Sequence, residues 1–317
     1  MKKLFTCLLM LLPFLAMAQS EESNQLYAEG VELSDARKFA EALPYFQKSS
    51  ALDKKELQPT DENYHRAALK VADCYDQLAR QAMRDIRYND AIKYQSNVVE
   101  IRKEVLGNTH PDYATALCNL AYYYSGVGNY DEAIRLQTIG LDLTKKYYGD
   151  SHPEYATSLN NLALFNYYVD NYAEAIRLDT LALQIRKQTL GEEHPDYVQS
   201  LNNLAVYYTA YGNNDEAIRL GILVVESRKK ILGEEHPDYA QSLSNLAWSY
   251  STIGNYDEAI RLGTLAMEIR RKVLGDSHPD YATSLSNLAE YHAKVGNHDT
   301  AKMLENLASE VRQKSVK

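Results

Sequence analysis

Residues Gly233–Leu262 read GEEHPDYAQSLSNLAWSYSTIGNYDEAIRL, and this stretch recurs along the chain with few changes. Similar segments begin at Gly107, Gly149, Gly191 and Gly275, so one unit occurs five times at a constant spacing of 42 residues. Self-similarity at a period of about 20 to 50 residues is typical of repeat architectures. The repetition also shows which positions the unit requires.

Each unit is predicted to form two helices, A and B. The proline of the HP pair suits the first position of helix A, where a missing N–H costs nothing. An apolar stripe on helix A contains Leu243, Leu246, Ala247 and Tyr250. The buried face of helix B is predicted to contain Ala259, Leu262, Ala266 and Ile269. Pairs typical of a helix start precede helix B: Asn129 and Glu132, Asn171 and Glu174, Asn213 and Glu216, Asn255 and Glu258.

Two weaker units precede the five clear ones. The first has apolar residues such as Phe46 at the spacing of a helical hairpin, and the second keeps the 42-residue register but lacks the HP start. Because such units bury their apolar faces only by stacking, seven hairpins in an all-α solenoid are expected. The predicted divisions are 1–18, a signal peptide; 19–64, a degenerate repeat and linker; 65–106, a degenerate 42-residue repeat; and 107–317, five full repeats.

The pattern Leu-x-x-Leu-Ala-x-x-Tyr, the Gly-Asn-Tyr turn and the alanine after it resemble tetratricopeptide repeats. The 42-residue length, the HPD or HPE start and endings such as EIRRKVLG resemble the kinesin light chain-like subfamily, here of an exported bacterial type. The resemblance implies a right-handed α-solenoid of stacked helix-turn-helix repeats. It also implies that helix A lines a concave groove.

The face of helix A opposite the apolar stripe is rich in amides. An asparagine recurs there every 42 residues, although asparagine is a mediocre residue for helix interiors. A carboxamide both donates and accepts hydrogen bonds, so it can bind the backbone of an extended peptide. The resemblance implies groove contacts for these residues; the alternative is that each asparagine only bonds the neighbouring helix. The candidate groove residues on helix A are Asn119, Asn161, Asn203, Asn245, Asn287, Tyr122, Tyr168, Gln199, Asn202, Gln241 and Trp248.

Helix B ends with an arginine in several units, at Arg186, Arg228 and Arg270. The negative end of a helix favours a cation, and this role could suffice for these residues. The resemblance implies that they reach acidic residues of a bound peptide, and we include them among the groove candidates. Thr144 takes this position in one unit, and the early turn of helix A lacks the basic residue common in the subfamily.

Charge and histidine spacing exclude several other functions. The chain has 34 Lys and Arg against 43 Asp and Glu, a balance that argues against binding nucleic acid or an anionic membrane. One histidine occurs per repeat, whereas a zinc site needs three or four converging ligands, so these histidines are expected to cap helices. No catalytic arrangement or phosphate loop is present, and we expect neither enzymatic activity, nor a cofactor, nor a metal.

The N-terminal segment MKKLFTCLLMLLPFLAMAQS has a basic start, an apolar run and a small-residue box. It is typical of a secretory signal peptide cleaved after Ala18, which predicts a secreted or periplasmic protein. Export would permit a disulfide between Cys74 and Cys118, but their positions in neighbouring repeats favour two unpaired thiols.

The sequence therefore predicts a non-enzymatic, monomeric interaction scaffold. Its groove is expected to bind an extended peptide segment of a partner protein, with an acidic or neutral linear motif. The alternatives are a structural spacer or self-assembly module, and a regulatory subunit of an unidentified enzyme.

Overall fold

The protein is described by a computed structural model that covers residues 21–59 and 63–315. The predicted signal peptide, 1–18, lies outside the described residues. Helices account for nearly all of the described chain, and neither described range contains a strand. No helix within these ranges is both long and apolar enough to cross a membrane.

Two compact units divide the chain, residues 1–149 and residues 150–317. The first unit contains three helical hairpins, and within it the second helix of one hairpin also packs against the first helix of the following hairpin. Its helices are α1 (21–35), α2 (Phe39–Glu56), α3 (Arg66–Arg84), α4 (Tyr88–Leu106), α5 (Pro111–Gly126) and α6 (Tyr130–Tyr148).

The second unit contains four hairpins that stack in the same way. The seven predicted hairpins are therefore confirmed, and the fold class is all-α. The helices of the second unit are α7 (Pro153–Tyr168), α8 (Tyr172–Leu190), α9 (Pro195–Tyr211), α10 (Asn214–Leu232), α11 (Pro237–Thr252), α12 (Tyr256–Leu274), α13 (Pro279–Lys294) and α14 (His298–Ser315).

The repeated histidine begins helix A in all five full repeats. In α11, the ring Nδ1 of His236 accepts a hydrogen bond from the backbone N–H of Asp238 at 3.1 Å, and Pro237 takes the first helical position. The bond satisfies one of the N–H groups that a helix start leaves without a partner. The predicted capping role is confirmed at His110, His152, His194, His236 and His278.

The predicted apolar stripes form the core between helices. In the fourth full repeat, Leu243 and Leu246 of α11 are buried together with Ala259 and Leu262 of α12. Small residues on the second helix let the two helices approach closely, and this cluster extends to Leu288 and Tyr291 of the next hairpin. The predicted packing faces of both helices are confirmed.

The starts of the second helices differ from the prediction at one place. Asn129, Asn213 and Asn255 cap their helices, whereas Asn171 makes no cap bond. Its Nδ2 donates instead to Oδ1 of Asn166, at 3.0 Å. The capping prediction for Asn171 was therefore wrong, because its carboxamide is held by the bond to Asn166 and its Oδ1 accepts no hydrogen bond from the helix start.

Every hairpin turn contains a residue in the left-handed region. Glycine takes this position in most units, for example Gly254 with φ 77°, but Ile86 and Asp170 adopt φ 59° at the equivalent positions. A left-handed β-branched residue is sterically unfavourable, so Ile86 marks a strained turn. Elsewhere in the described chain, Cys74 and Cys118 are not joined by a disulfide.

Candidate functional site

The five recurrent asparagines lie on helix A and are all partly exposed. Among the other candidates, Gln199 and Gln241 are exposed, and Tyr122 and Tyr168 are each 52% exposed. Asn202 is different, because only 8% of it is exposed. The predicted polar face therefore exists, but one of its members points into the packing between hairpins.

A cavity of about 610 Å³ lies between α11 and α13 in the second unit. Its walls carry three carboxamides, of Gln241, Asn245 and Asn287, and the indole of Trp248. It brings together five of the predicted candidates, namely Gln241, Asn245, Trp248, Asn287 and Arg270. Other polar and aromatic residues of the wall include Thr283, Glu290, Tyr291 and Lys294.

The amides of helix A also bond from one hairpin to the next. Asn245 Nδ2 donates to Asn202 Oδ1 at 3.0 Å, and Asn245 Oδ1 accepts from Gln241 Nε2 at 2.7 Å. One hairpin earlier, Asn203 Nδ2 donates to Asn160 Oδ1 at 3.2 Å. At Asn203 and Asn245 the alternative interpretation, a bond to the neighbouring helix, is therefore realised. A carboxamide can make further hydrogen bonds, so this role does not exclude a second one.

The three candidate arginines join successive hairpins within the second unit. Arg228, in the last turn of α10, donates to the backbone carbonyl of Asp238 in α11 at 2.8 Å and to Gln199 Oε1 at 2.9 Å. Arg186 and Arg270 donate to the carbonyl of the residue ten positions further along in the same way. All three are at most 6% exposed, and burial lowers the pKa of each guanidinium. Their contact with a bound peptide stays a prediction.

The junction between α8 and α9 contains a buried acid. Ser200 Oγ accepts from Arg186 Nη1 at 2.7 Å and donates to Asp179 Oδ1 at 3.1 Å. Asp179 is fully buried, and burial raises its pKa to about 8, although Arg186 and Ser200 both act in the opposite direction. At the equivalent positions the next two hairpins have Gly221 and Gly263.

A second polar cluster, on α13 and α14, was missed by the sequence analysis. Arg312 donates to Glu305 Oε1 at 3.3 Å and to Ser286 Oγ at 2.7 Å, and Ser286 Oγ donates to Glu305 Oε2 at 2.9 Å. Arg312 follows Arg270 by 42 residues, so the repeat register could have identified it. Asp179 could have been identified in the same way, because it is an acid at the position that Gly221 and Gly263 take in the next two hairpins.

No group of three or more His, Cys, Asp and Glu side chains in the described part of the chain is placed to hold a metal ion. The capping histidines lie one to a hairpin. The helix-A face of the second unit carries amides, hydroxyls and aromatic rings, together with the charged Glu290 and Lys294 of α13.

The profile of the tetratricopeptide repeat family matches residues 77–138, 124–177, 155–222, 212–272 and 254–314. These matches cover most of the chain, which therefore belongs to the tetratricopeptide repeat family. Tandem hairpins of this family are typical of scaffolds for protein interactions. No curated protein matches the chain in sequence.

Several solved structures have the same fold. One is a protein from Podosopora anserina that has nearly identical TPR-like repeats and is described as a kinesin light chain. It is 29% identical to this chain, with a TM-score of 0.55, and the match covers 65% of this chain and 98% of that one. BtubC (BKLC) from P. vanneervenii is 20% identical, with a TM-score of 0.59 and coverages of 75% and 92%. A Rap protein complexed with competence and sporulation factor is 15% identical, with a TM-score of 0.54 and coverages of 93% and 76%.

Proposed function

We propose that the protein is a non-enzymatic scaffold that binds an extended segment of a partner protein on the helix-A face of its second unit. The observation that carries this proposal is the cavity between α11 and α13, where Asn245 and Asn287 lie on the same wall as Trp248. Carboxamides can bond a peptide backbone, and the ring of Trp248 can cover an apolar side chain.

The bonds within the protein support the same proposal. Asn245 is fixed by one bond to Asn202 and one from Gln241, so its carboxamide has a defined orientation. Each carboxamide has two donor hydrogens and two acceptor lone pairs, so Asn245 keeps one of each for a ligand. Pre-oriented polar groups lose little conformational entropy when a ligand binds.

The comparisons support the proposal at the level of the fold. The Rap protein was solved as a complex with competence and sporulation factor, and it has the same kind of tandem helical fold. At 15% identity, this similarity does not indicate which residues of our chain would contact a ligand. The cavity in the second unit is therefore the site to test.

We further propose that the ligand segment is neutral or acidic, that the scaffold is monomeric, and that it is secreted or periplasmic. Arg270 and Lys294 both line the cavity and could receive a carboxylate, which supports the first of these proposals. The N-terminal sequence supports export. N-terminal sequencing of the exported chain tests cleavage after Ala18, and light scattering over a range of concentrations tests the monomer.

The binding experiment can use the chain's own fluorophore, because Trp248 is its only tryptophan. Peptides are selected from a random library for binding to the chain without residues 1–18. On binding, they should change the fluorescence emission of Trp248. Asn287→Ala should weaken binding about 5-fold, because a buried hydrogen bond is worth about 1 kcal/mol.

Asn119→Ala provides a matched control, since Asn119 occupies the same repeat position on α5 and is not on the cavity wall. It should leave the affinity unchanged. Ligands whose affinity is insensitive to Asn287→Ala and which leave Trp248 emission unchanged would contradict this site. Failure to select any peptide would contradict the proposed function itself.

A further inference from the structure

A second, smaller cavity lies in the second unit, where the end of α10 meets the first turns of α9 and α11. Its volume is about 180 Å³, and its apolar wall includes Val198, Ile231 and Leu232. No described residue lines both this cavity and the one between α11 and α13. The two sites are therefore separate.

A buried guanidinium forms part of the wall of this smaller cavity. Arg228 lines the cavity and is only 6% exposed. A guanidinium has five donor hydrogens, and within the described chain Arg228 makes two hydrogen bonds, to the carbonyl of Asp238 and to Gln199 Oε1. Because buried polar groups are normally satisfied, the unused donors of Arg228 indicate a place for a further acceptor.

The two neighbouring junctions show what kind of partner this acceptor replaces. In both, the equivalent arginine also donates to a serine hydroxyl of the next helix A, at 2.7 and 2.8 Å. Ser242 has this repeat position beside Arg228, but it donates to the carbonyl of Tyr239 and makes no bond with Arg228. Among these three junctions, only the one at Arg228 therefore leaves the guanidinium without a hydroxyl partner.

Two carboxylates lie at the mouth of the same cavity. Asp196 in α9 and Asp238 in α11 both line it, and both residues are exposed. Neither forms an ion pair with a lysine or arginine side chain of the described chain. The nearest ring nitrogens, of His194 and His236, already accept backbone hydrogen bonds. Both carboxylates can therefore accept hydrogen bonds from a ligand.

The charges around the cavity define the class of ligand that fits. An isolated anion would be repelled by Asp196 and Asp238, and an isolated cation would be repelled by Arg228. A small molecule with a carboxylate and an ammonium on the same carbon atom satisfies both groups. An enclosed cavity of about 150 Å³ can hold a benzene ring, so the apolar wall has room for a side chain of about four carbon atoms.

We propose that this cavity binds a free aliphatic α-amino acid such as leucine. The carboxylate of the ligand accepts hydrogen bonds from Arg228, its ammonium donates to Asp238 and Asp196, and its side chain packs against the apolar wall. The ligand then bridges two successive hairpins. This site is independent of the proposed peptide-binding function, because it uses neither the residues of the larger cavity nor a partner protein.

Isothermal titration calorimetry of the mature chain, without residues 1–18, tests the proposal with L-leucine. Leucine should bind. 4-Methylpentanoate, which lacks the ammonium, and isoamylamine, which lacks the carboxylate, should bind at least about 10-fold more weakly, because each loses charged hydrogen bonds. The peptide Gly-Gly-Leu should also bind more weakly, because its leucine nitrogen is a neutral amide. Absence of leucine binding, or equal affinity for any of these analogues, would overturn the proposal.

Asp238→Asn separates a contact with the ligand from a structural effect. It should weaken leucine binding about 10-fold but should not weaken the binding of 4-methylpentanoate, which has no ammonium to lose. Asp112→Asn is the matched control, because Asp112 has the same repeat position on α5 and lies outside this cavity, and it should leave both affinities unchanged. Circular dichroism verifies that each variant is folded. A similar loss for both ligands in Asp238→Asn would contradict the assigned contact.

The emission of Trp248 distinguishes this site from the larger cavity. Trp248 and Asp238 are ten residues apart on α11, which corresponds to about 15 Å along the helix. Leucine should therefore leave the emission of Trp248 unchanged. A change in emission on addition of leucine would assign its binding to the cavity between α11 and α13 and would refute this site, whatever the outcome of the peptide experiment.

Discussion

The junctions α8–α9 and α10–α11 make the same bond in different surroundings. In both, an arginine at the end of helix B donates to the backbone carbonyl of an aspartate at the start of the next helix A. Around Arg186 this bond is joined by Asn160, Ser200 and the buried Asp179, whereas Arg228 bonds only Gln199 in addition. The bond to the backbone therefore defines the junction, and the side chains around it can vary.

The largest effect is expected from Arg186→Ala. The change removes the bonds of Arg186 to Asn160, Ser200 and a carbonyl of α9, although Asn160 keeps its bond from Asn203, and it removes the cation that lowers the pKa of Asp179. We expect a loss of about 3 kcal/mol in the free energy of unfolding, at about 1 kcal/mol for each of the three hydrogen bonds. Denaturant unfolding of the mature chain measures it.

Arg228→Ala is the matched comparison, and it should cost only about 2 kcal/mol because fewer buried groups lose a partner. Equal losses in the two variants would show that the additional partners of Arg186 contribute nothing to stability.

The comparison can also be tested by introducing an acid at the second junction, α10–α11. A Cβ added at Gly221 would lie 2.9 Å from Leu246 Cδ1, so Gly221→Ala already crowds the core and should cost about 1 to 3 kcal/mol. Gly221→Asp should cost about 1 to 3 kcal/mol more, because Ser242 already donates its hydroxyl to Tyr239. Thermal unfolding of both variants separates crowding from charge, and similar stability of the two would contradict the argument.

Asp179 should make the stability of the second unit depend on pH. Burial raises its pKa from 3.8 to about 8, so the folded chain binds a proton that the unfolded chain releases between these values. Stability should therefore decrease as pH rises from about 4 to about 8, because the folded chain must keep Asp179 protonated or bury its charge.

Asp179→Asn keeps an acceptor for Ser200 and cannot ionise. Its stability should exceed that of the unchanged chain at pH 8 by the same amount, and the gap should close near pH 4. Urea denaturation across this range is the measurement. Parallel stability curves for the two proteins would show that Asp179 does not titrate in this interval.

The smallest effect is expected from the amide bonds. Asn245→Ala removes a donor to Asn202 and an acceptor for Gln241, and it should cost about 1 kcal/mol because only Asn202 is buried, whereas Gln241 is exposed to solvent. Arg261→Ala, on the exposed side of α12, is the control and should change stability by less than about 0.5 kcal/mol. If Asn245→Ala does not change the stability, binding of a ligand in the groove would remain as the explanation of the repeated asparagine.

Most of the fold could be predicted because the 42-residue period itself contains the local signals. His236 and Pro237 define a helix start, and Leu243 and Leu246 define a face, without any information from distant residues. The exception at Asn171 depends on Asn166, a residue that belongs to one repeat only. A rule derived from the other copies could not anticipate it.

The site could be predicted less completely. A helical wheel places Asn203 and Asn245 on the polar face, but it cannot show that they bond Asn160 and Asn202 on the preceding hairpin. The same limit applies to Arg228, whose burial depends on the carbonyl of Asp238 in the next hairpin. These contacts depend on how hairpins stack, which a wheel drawn for one helix does not contain.

The cluster of Glu305, Ser286 and Arg312 shows that one repeat position accepts different chemistries. Glu305 occupies the position of Gly221 and Gly263, which the buried Asp179 takes on α8. A glycine at this position admits the side chain of a neighbouring leucine, whereas an acid accepts a hydrogen bond from a serine, Ser200 at Asp179 and Ser286 at Glu305. Single substitutions at this position can therefore diversify the junctions of an array whose helices stay the same.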